Sequence, residues 1–162
     1  MKAKLTLAFV VGLVGLAVYA ANALATPGQG FTAVQQLKGV FGEIDVKAET
    51  DRHELELKTK GISDVYVTRN AIAPRRHSGW HTHPGPSLIT VTMGEIMAYD
   101  GDDPTRTPTH YRAGEGFVDP GGGHVHLLRN ETDAPAETVA VQILPRDATR
   151  RIGAPAPGDC PF

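Results

Sequence analysis

The chain has 162 residues, of which 41% are hydrophobic and 6% aromatic, and its formal net charge is −2. This length suffices for one domain with a buried core, and no internal repeat or second domain is visible. The 16 basic and 18 acidic residues include no basic stretch interleaved with aromatic residues, which argues against a nucleic-acid partner. The 18 glycines and 12 prolines favour short strands and turns over long helices.

The N-terminus has the layout of a secretory signal. Two lysines precede an apolar run over residues 5–21, and an Ala-Leu-Ala sequence follows that ends at Ala25. We expect residues 1–25 to be a signal peptide cleaved after Ala25, which makes the mature protein exported (periplasmic or secreted) and leaves it without a membrane segment. An uncleaved anchor is the alternative, because about 17 apolar residues is close to the minimum that spans a bilayer. Cleavage removes two of the 16 basic residues and leaves a formal charge of −4.

The segment that follows the signal is expected to be an N-terminal arm over residues 26–50. Within it, residues 31–40 are predicted to be a short helix or irregular. Alternating apolar and polar residues then predict a series of strands, which cover residues 53–58, 65–69, 87–92, 96–99, 117–118, 125–129 and 137–144. In the first of these strands, Leu55 and Leu57 are expected to face the core.

The spacing of these strands indicates the fold class. Short strands separated by turns about every 8–12 residues are typical of an all-β barrel or sandwich. The barrel is expected over residues 51–146, and a Pro-rich, extended tail over residues 147–162. The only cysteine, Cys160, lies in that tail and has no partner for an intrachain disulfide.

Two His-x-His pairs are the feature of the sequence that carries chemistry. His81 and His83 form the first pair, and His124 and His126 form the second. Side chains alternate between the two faces of a strand, so each pair directs both of its rings to the same side. Imidazoles that converge from two strands are typical ligands of a divalent metal.

The residues around the pairs resemble the two motifs of the cupin superfamily, over about residues 75–130. In the first motif a glycine follows the His-x-His pair, and here Gly94 stands eleven positions after His83. The second motif is matched, in order, by Gly114, Pro120, Gly122, His126 and Asn130. The resemblance implies a single jelly-roll-like β-barrel in which three histidines hold a divalent metal and a small-molecule ligand or substrate binds opposite.

Two departures from the cupin motifs affect the site. Ser87, or Leu88 if the gap in the motif is one residue longer, stands where the first motif has a glutamate, so the usual carboxylate ligand is missing. The second motif has one extra residue after Gly122, which leaves His124 and His126 as alternatives for the third ligand. The spacing to Asn130 favours His126, with His124 as a neighbour or a fourth ligand.

The resemblance implies a metal without naming it or a reaction. Imidazole ligands suit zinc, copper, iron, manganese and nickel. Three neutral imidazoles leave a divalent ion near a charge of +2, which favours anionic ligands and acidifies bound water. An oxygenase or isomerase acting on a small molecule and a non-catalytic metal or small-ligand binding protein are both consistent with this site. No catalytic residue is assigned, and the resemblance also suggests a homodimer.

Weaker candidates surround the two pairs. His77 has the same strand parity as His81 and is expected near the mouth of the cavity, whereas Trp80 faces the other way and is expected in the core. Four further residues lie where they could line the barrel or precede the site, namely Gln142, Tyr99, Arg75 and Arg76. The two arginines are interpreted as a solvated pair.

The export hypothesis predicts a mature protein that starts at Thr26. Full-length protein expressed in a bacterium is expected in the exported fraction with Thr-Pro-Gly-Gln-Gly at its N-terminus. The Ala25→Phe variant should remain uncleaved, because the cleavage site requires a small residue at this position. N-terminal sequencing checks both results, and wild-type protein that keeps residues 1–25 in the membrane fraction would instead support the anchor.

Overall fold

The computed structural model describes residues 25–158, and this part of the chain consists of twelve strands without a helix. Within the same range, no helix has the length and apolar character needed to cross a membrane. The expected signal peptide, apart from Ala25, and Cys160 lie outside the described residues. The prediction of an all-β fold is confirmed.

The strands follow one another with short connections. In chain order they are β1 (Gln29–Phe41), β2 (Asp45–Glu49), β3 (Glu54–Lys58), β4 (Ser63–His77), β5 (His81–Thr82), β6 (Ser87–Met93), β7 (Glu95–Asp100), β8 (Thr109–Arg112), β9 (Gly116–Asp119), β10 (His126–Arg129), β11 (Ala136–Pro145) and β12 (Ile152–Gly153).

Ten of these strands form one antiparallel sheet that curls into a nearly closed barrel. The sheet runs in the order β12-β5-β10-β4-β11-β6-β9, with β1 paired to β4 and β7 paired to both β10 and β8. The remaining two strands, β2 and β3, pair only with each other in a separate ribbon. Curling buries one face of the sheet and leaves the other in solvent, which explains the alternation of inward and outward residues along the strands.

The inward face of the barrel changes from apolar to polar along its length. The apolar part contains Ile72, Val91, Ile96, Leu128 and Ala136, all almost fully buried. Strand β11 contributes to both parts, because its buried positions are Ala136, Thr138, Ala140, Gln142 and, at its end, the apolar Leu144. The polar part of the interior is therefore available for a functional site, while the apolar part supplies the core.

The helix or irregular arm expected over residues 31–40 is wrong. These residues belong to β1, which pairs with β4 from Gln29 opposite His77 to Phe41 opposite Ser63. Most residues of β1 are exposed, so the segment lacks the alternating burial that would have indicated a strand. Its hydrogen bonds to β4 decide its conformation, which is a tertiary effect.

The expected inward position of Leu55 is also wrong. Its side chain is 53% exposed, because β2 and β3 form a ribbon that does not join the barrel. At the other end of the chain, β12 pairs with β5 in the main sheet. The barrel therefore extends beyond the expected range of 51–146 on both sides.

A second apolar cluster fixes the end of the chain to the barrel. Trp80 is fully buried together with Tyr99, Leu127 and Ala154, as expected for a core residue. The Ala154 amide donates to the Trp80 carbonyl at 2.9 Å. The segment after β11 is thereby held against the strand that carries the first His-x-His pair.

The side chain of Asn130 closes the turn between β10 and β11. It is fully buried, and its amide donates to the carbonyls of Ile72 at 3.1 Å and Ala134 at 2.7 Å. Its oxygen accepts from the backbone amide and the hydroxyl of Thr132 at 3.0 and 2.8 Å. One side chain thus supplies four hydrogen bonds that the turn cannot make with its own backbone.

Loss of the Asn130 side chain is expected to destabilise the barrel. Asn130→Ala should lower the free energy of unfolding by about 3 kcal/mol, because it leaves buried polar groups without partners. The matched control, Thr92→Ala on the exposed face of β6, should change it by less than about 0.5 kcal/mol. Urea denaturation followed by tryptophan fluorescence measures both values, and equal effects for the two variants would contradict this role of Asn130.

Candidate metal centre

Two neighbouring strands bring three histidines together at the polar end of the barrel. His81 in β5 lies directly opposite His126 in β10, and His83 follows β5 immediately. Gly79, with φ of 74°, makes the turn that precedes β5, and a side chain there would collide with the carbonyl of Thr26. The sharp turn before β5 and the register of β10 therefore place the histidine rings.

The three imidazoles form a compact, buried cluster. His81, His83 and His126 are 4%, 7% and 5% exposed, and their ring centroids lie 4.3 to 5.4 Å apart. One nitrogen from each ring can be chosen so that all three lie within 4.8 Å of one another. Such an arrangement offers three ligand atoms to one face of a single metal ion.

The Nδ1 atoms of two of the rings are already engaged by backbone carbonyls. His81 Nδ1 lies 2.8 Å from the Gly79 carbonyl oxygen, and His83 Nδ1 lies 2.6 Å from the Arg150 carbonyl oxygen. A carbonyl only accepts, so each Nδ1 carries the proton and donates it. Both rings therefore have an unprotonated Nε2, which is the state of a metal-ligating histidine with an outer hydrogen-bond partner.

His126 has a carboxylate behind it instead of a carbonyl. Its Nδ1 lies 3.4 Å from Asp119 Oδ1, and neither of its ring nitrogens makes a hydrogen bond. Buried polar atoms in proteins are nearly always satisfied. A metal ion on Nε2 would supply the missing partner, so the residues present fit a divalent ion.

Gln142 supports the cluster from β11. Its amide nitrogen lies 3.1 Å from both His83 Nδ1 and Ser87 Oγ. The Nδ1 proton of His83 is committed to the carbonyl of Arg150, so the amide donates to Ser87. Gln142 lines the cavity as expected from its strand, and with Ser87 it fills the space behind His83.

Burial keeps the three imidazoles neutral. Desolvation lowers the pKa of His81 well below its usual value, and the charge of His126 adds to this effect. Desolvation also lowers the pKa of His83, and it lowers the pKa of His126 to about 4. All three imidazole rings are thus uncharged at neutral pH, with one nitrogen of each free of a proton, which metal binding requires.

The structure separates His124 from the other three histidines. Its Nδ1 lies 2.9 Å from Asp119 Oδ1 and its Nε2 lies 3.1 Å from Asp100 Oδ1. Burial lowers the pKa of His124, but its hydrogen bonds to Asp119 and Asp100 outweigh this effect, so the pKa is raised overall. His124 also forms a second group of possible ligands with Asp119 and His126. Both of its nitrogens are nevertheless engaged by carboxylates, unlike those of the triad.

Asp119 is the site residue that the sequence motifs do not reveal. It lies in β9, directly opposite Ser87, the position where the cupin motif has its glutamate. It is only 3% exposed, and its Oδ2 makes no hydrogen bond. A carboxylate is therefore present near the histidines, but it comes from a neighbouring strand. The only sequence signal for Asp119 is its position immediately before Pro120 of the second motif.

A small cavity adjoins the histidine cluster. Its volume is about 40 Å³, and its walls include His81, His83 and Gln142. Two arginines, Arg150 and Arg151, complete the walls from the segment between β11 and β12. No sequence pattern indicated these two residues, because that segment was expected to be part of an extended tail.

The weaker candidates lie elsewhere. Arg75 is exposed and pairs with Asp133 at 2.9 Å, in agreement with its interpretation as a solvated residue. Arg76 is also exposed. His77 is buried and accepts a hydrogen bond from the Gly79 amide, and it is absent from the walls of the cavity. Tyr99 lines a separate cavity of about 130 Å³ together with His126.

A nearly closed antiparallel barrel with buried histidines converging inside it defines a class of small β-barrel proteins that hold ligands in their interior. Residues 69–142 match the sequence model of the family described as a cupin domain. This match spans strands β5–β10 and part of β4 and β11, so this part of the chain is a cupin domain. No curated protein matches the sequence.

Parts of several solved structures are similar to this chain. A cupin-2 domain from Rhodospirillum rubrum superposes with a TM-score of 0.50 at 14% identity, covering 75% of this chain and 65% of that one. A conserved protein with a double-stranded β-helix domain from Klebsiella pneumoniae gives a TM-score of 0.45 at 25% identity, covering 70% and 84%. An oxalate oxidase gives 0.42 at 26% identity, covering 48% and 41%. The chain spans 66%, 56% and 41% of the first three solved structures that it matches, so these likenesses concern the fold.

The neutral state of His126 predicts that acid destabilises the metal-free protein. The pKa of His126 is 6.5 in the unfolded chain and about 4 in the fold. The unfolded chain therefore takes up the proton first, and stability falls as the pH drops from 6.5 to about 4 but is unaffected above that window. His126→Gln should reduce this dependence by about 1.4 kcal/mol per pH unit.

Urea denaturation of the metal-free protein between neutral pH and about pH 4.5 measures this dependence. His53→Gln serves as the control, because His53 is exposed and lies outside the barrel strands. It should leave the slope of stability against pH unchanged. An equal slope in wild-type protein and the His126 variant would contradict the burial of a neutral imidazole.

Proposed function

We propose that the protein binds one divalent metal ion through the Nε2 atoms of His81, His83 and His126. The observation that carries this proposal is the commitment of two Nδ1 protons to backbone carbonyls, together with the unsatisfied Nε2 of buried His126. Three buried imidazoles without a metal would share a small space with no partner for their lone pairs. In this proposal His124 is not a ligand but a neighbouring residue that hydrogen-bonds Asp119.

The three imidazole ligands narrow the choice of metal. Three imidazoles suit zinc, copper, nickel, iron and manganese, and the general order of affinities favours copper and zinc. Calcium and magnesium prefer oxygen ligands and are disfavoured. Export, which the sequence alone suggests, would expose the site to an oxidising environment, in which ferrous iron is not readily available.

We further propose that the metal site acts on a small molecule. A divalent ion on three ligands keeps open positions, where it supplies Lewis acidity and lowers the pKa of bound water. The protein residues orient the ligands: the carbonyls of Gly79 and Arg150 fix two rings, and Asp119 lies behind the third. The reaction classes that suit such a site are those of an oxygenase or an isomerase.

One observation favours the alternative of a non-catalytic binding protein. The walls of the cavity beside the histidines contain no carboxylate, since Asp119 lines the other cavity. A general acid or base other than the ligands themselves is therefore not in place. A passive metal or small-ligand binder needs no such group.

The proposed partners of the chain follow from the same features. The ligand is a small molecule, and we also propose a homodimer. Edge strand β1 supports this, because its outer residues Val34, Leu37 and Val40 are each more than half exposed. Exposed apolar side chains on an edge strand are typical of a surface that pairs with another chain.

The metal proposal predicts one ion per chain, and its loss when a ligand is removed. His81→Ala, His83→Ala and His126→Ala should each lower metal affinity at least about tenfold, because two ligands remain where three are needed. Elemental analysis after purification, together with zinc and copper titration of the metal-free protein, measures this. His53→Ala is the control for loss of a histidine without loss of a ligand.

His124→Ala distinguishes the two possible registers of the second motif. This variant should retain the metal, although Asp119 loses a hydrogen-bond partner. Metal loss in His124→Ala but not in His126→Ala would show that His124 is the ligand. Full metal retention in all three triad variants would contradict the site. With metal bound, oxygen uptake in the presence of thiols, diols and phenols separates an oxygenase from a passive binder.

A further inference from the structure

We propose that the cavity beside the three histidines binds a small organic carboxylate, whose charge is met by Arg150 and Arg151. The inference rests on the proposed function, because the metal ion would provide a further point of attachment for the same ligand. It names the chemical class of that ligand from residues of the chain that belong to neither cupin motif.

Neither of the two arginines has an acidic partner among the described residues. Within residues 25–158, Arg150 and Arg151 form no ion pair, although they line the same small cavity. Arg69 shows the usual arrangement in this protein, with its guanidinium on the carboxylate of Glu137 at 2.6 Å. Two half-buried cations without a counter-ion, beside a proposed metal site, concentrate positive charge in one place.

Arg151 is held in position with donor capacity left over. Its Nη2 donates to the Ser78 carbonyl at 2.6 Å, and its Nε is buried without a hydrogen-bond partner. Burial lowers the pKa of this guanidinium, which reflects the cost of removing the cation from water. An anion in the cavity would offset that cost, because it would supply both charge and acceptors.

Arg150 provides the second point of contact. Its Nη1 lies 3.4 Å from Gln142 Oε1, a long hydrogen bond, and its guanidinium carbon lies 5.9 Å from the centre of the Tyr66 ring. The aromatic ring lies against the guanidinium and occupies none of its hydrogen-bond donors. The remaining donors can form the bidentate contact that guanidinium makes with a carboxylate.

The size and lining of the cavity decide what kind of oxyanion fits. A volume of about 40 Å³ is too small for fused ring systems or long chains. The walls also include the apolar side chains of Ile89, Leu128 and Ala140. A short hydrocarbon part is accommodated by these residues, which favours an organic carboxylate over inorganic phosphate.

Calorimetric titration of the metal-loaded protein tests the proposal with three probes. Propionate is the carboxylate, propionamide is its uncharged analogue of the same shape, and inorganic phosphate is the other oxyanion. Propionate should bind, and propionamide should bind at least about tenfold more weakly, because it cannot form charge-assisted hydrogen bonds. Weaker binding of phosphate than of propionate is expected, and the opposite order would overturn the choice of an organic ligand.

Variants assign the binding to the two arginines. Arg150→Gln and Arg151→Gln should each weaken propionate binding at least about tenfold, whereas Arg76→Gln, at an exposed arginine outside the cavity, should leave it unchanged. Circular dichroism checks the fold of each variant. If Arg151→Gln fails to fold because Ser78 loses its partner, Arg150→Gln alone decides.

The two proposals fail in different ways. Metal-loaded protein that shows no propionate affinity up to millimolar concentrations, or equal affinity in wild type and Arg150→Gln, refutes the carboxylate site and leaves the metal site standing. Protein that takes up no metal refutes the proposed function. In that case, propionate affinity of the metal-free protein that depends on Arg150 still supports the anion site, and its absence removes both.

Discussion

The pairing of β5 with β10 is the constraint on which the site depends. Strand β5 has only two residues, and it is held between β10, where His81 faces His126, and β12, where Gly153 also faces His81. Two residues cannot sustain a strand without partners on both sides. The position of the first His-x-His pair is therefore fixed by segments that lie about 45 and 70 residues further along the chain.

Burial then sets the electrostatics of the polar end of the barrel. The histidines stay neutral because desolvation lowers their pKa values, while the side chains of Arg150 and Arg151 line the cavity beside them. Asp119 lies beside His126 and is engaged by His124. The two arginines line the cavity next to His81 and His83, whereas Asp119 lines a separate cavity with His124 and His126.

Some strands could be predicted from the sequence, and others could not. Strands β6 and β11 could be predicted, because β-branched residues alternate along a buried face. Strand β1 could not, because it is mostly exposed and its conformation is decided by its pairing with β4. Leu55 was wrongly assigned to the core. Alternation indicates a strand but does not say what lies against its apolar face.

The sequence by itself indicated the all-β fold class, the resemblance to cupins and the two His-x-His pairs, with His126 favoured over His124, because periodicity and motif spacing are local properties of the chain. The tertiary structure alone decided that Asp119 stands opposite Ser87, that both nitrogens of His124 are engaged by carboxylates, and that Arg150 and Arg151 enter the cavity. These arrangements arise from the register between strands that are distant in sequence and from the pairing of β12 with β5. No local pattern encodes such contacts, because they depend on how the sheet closes.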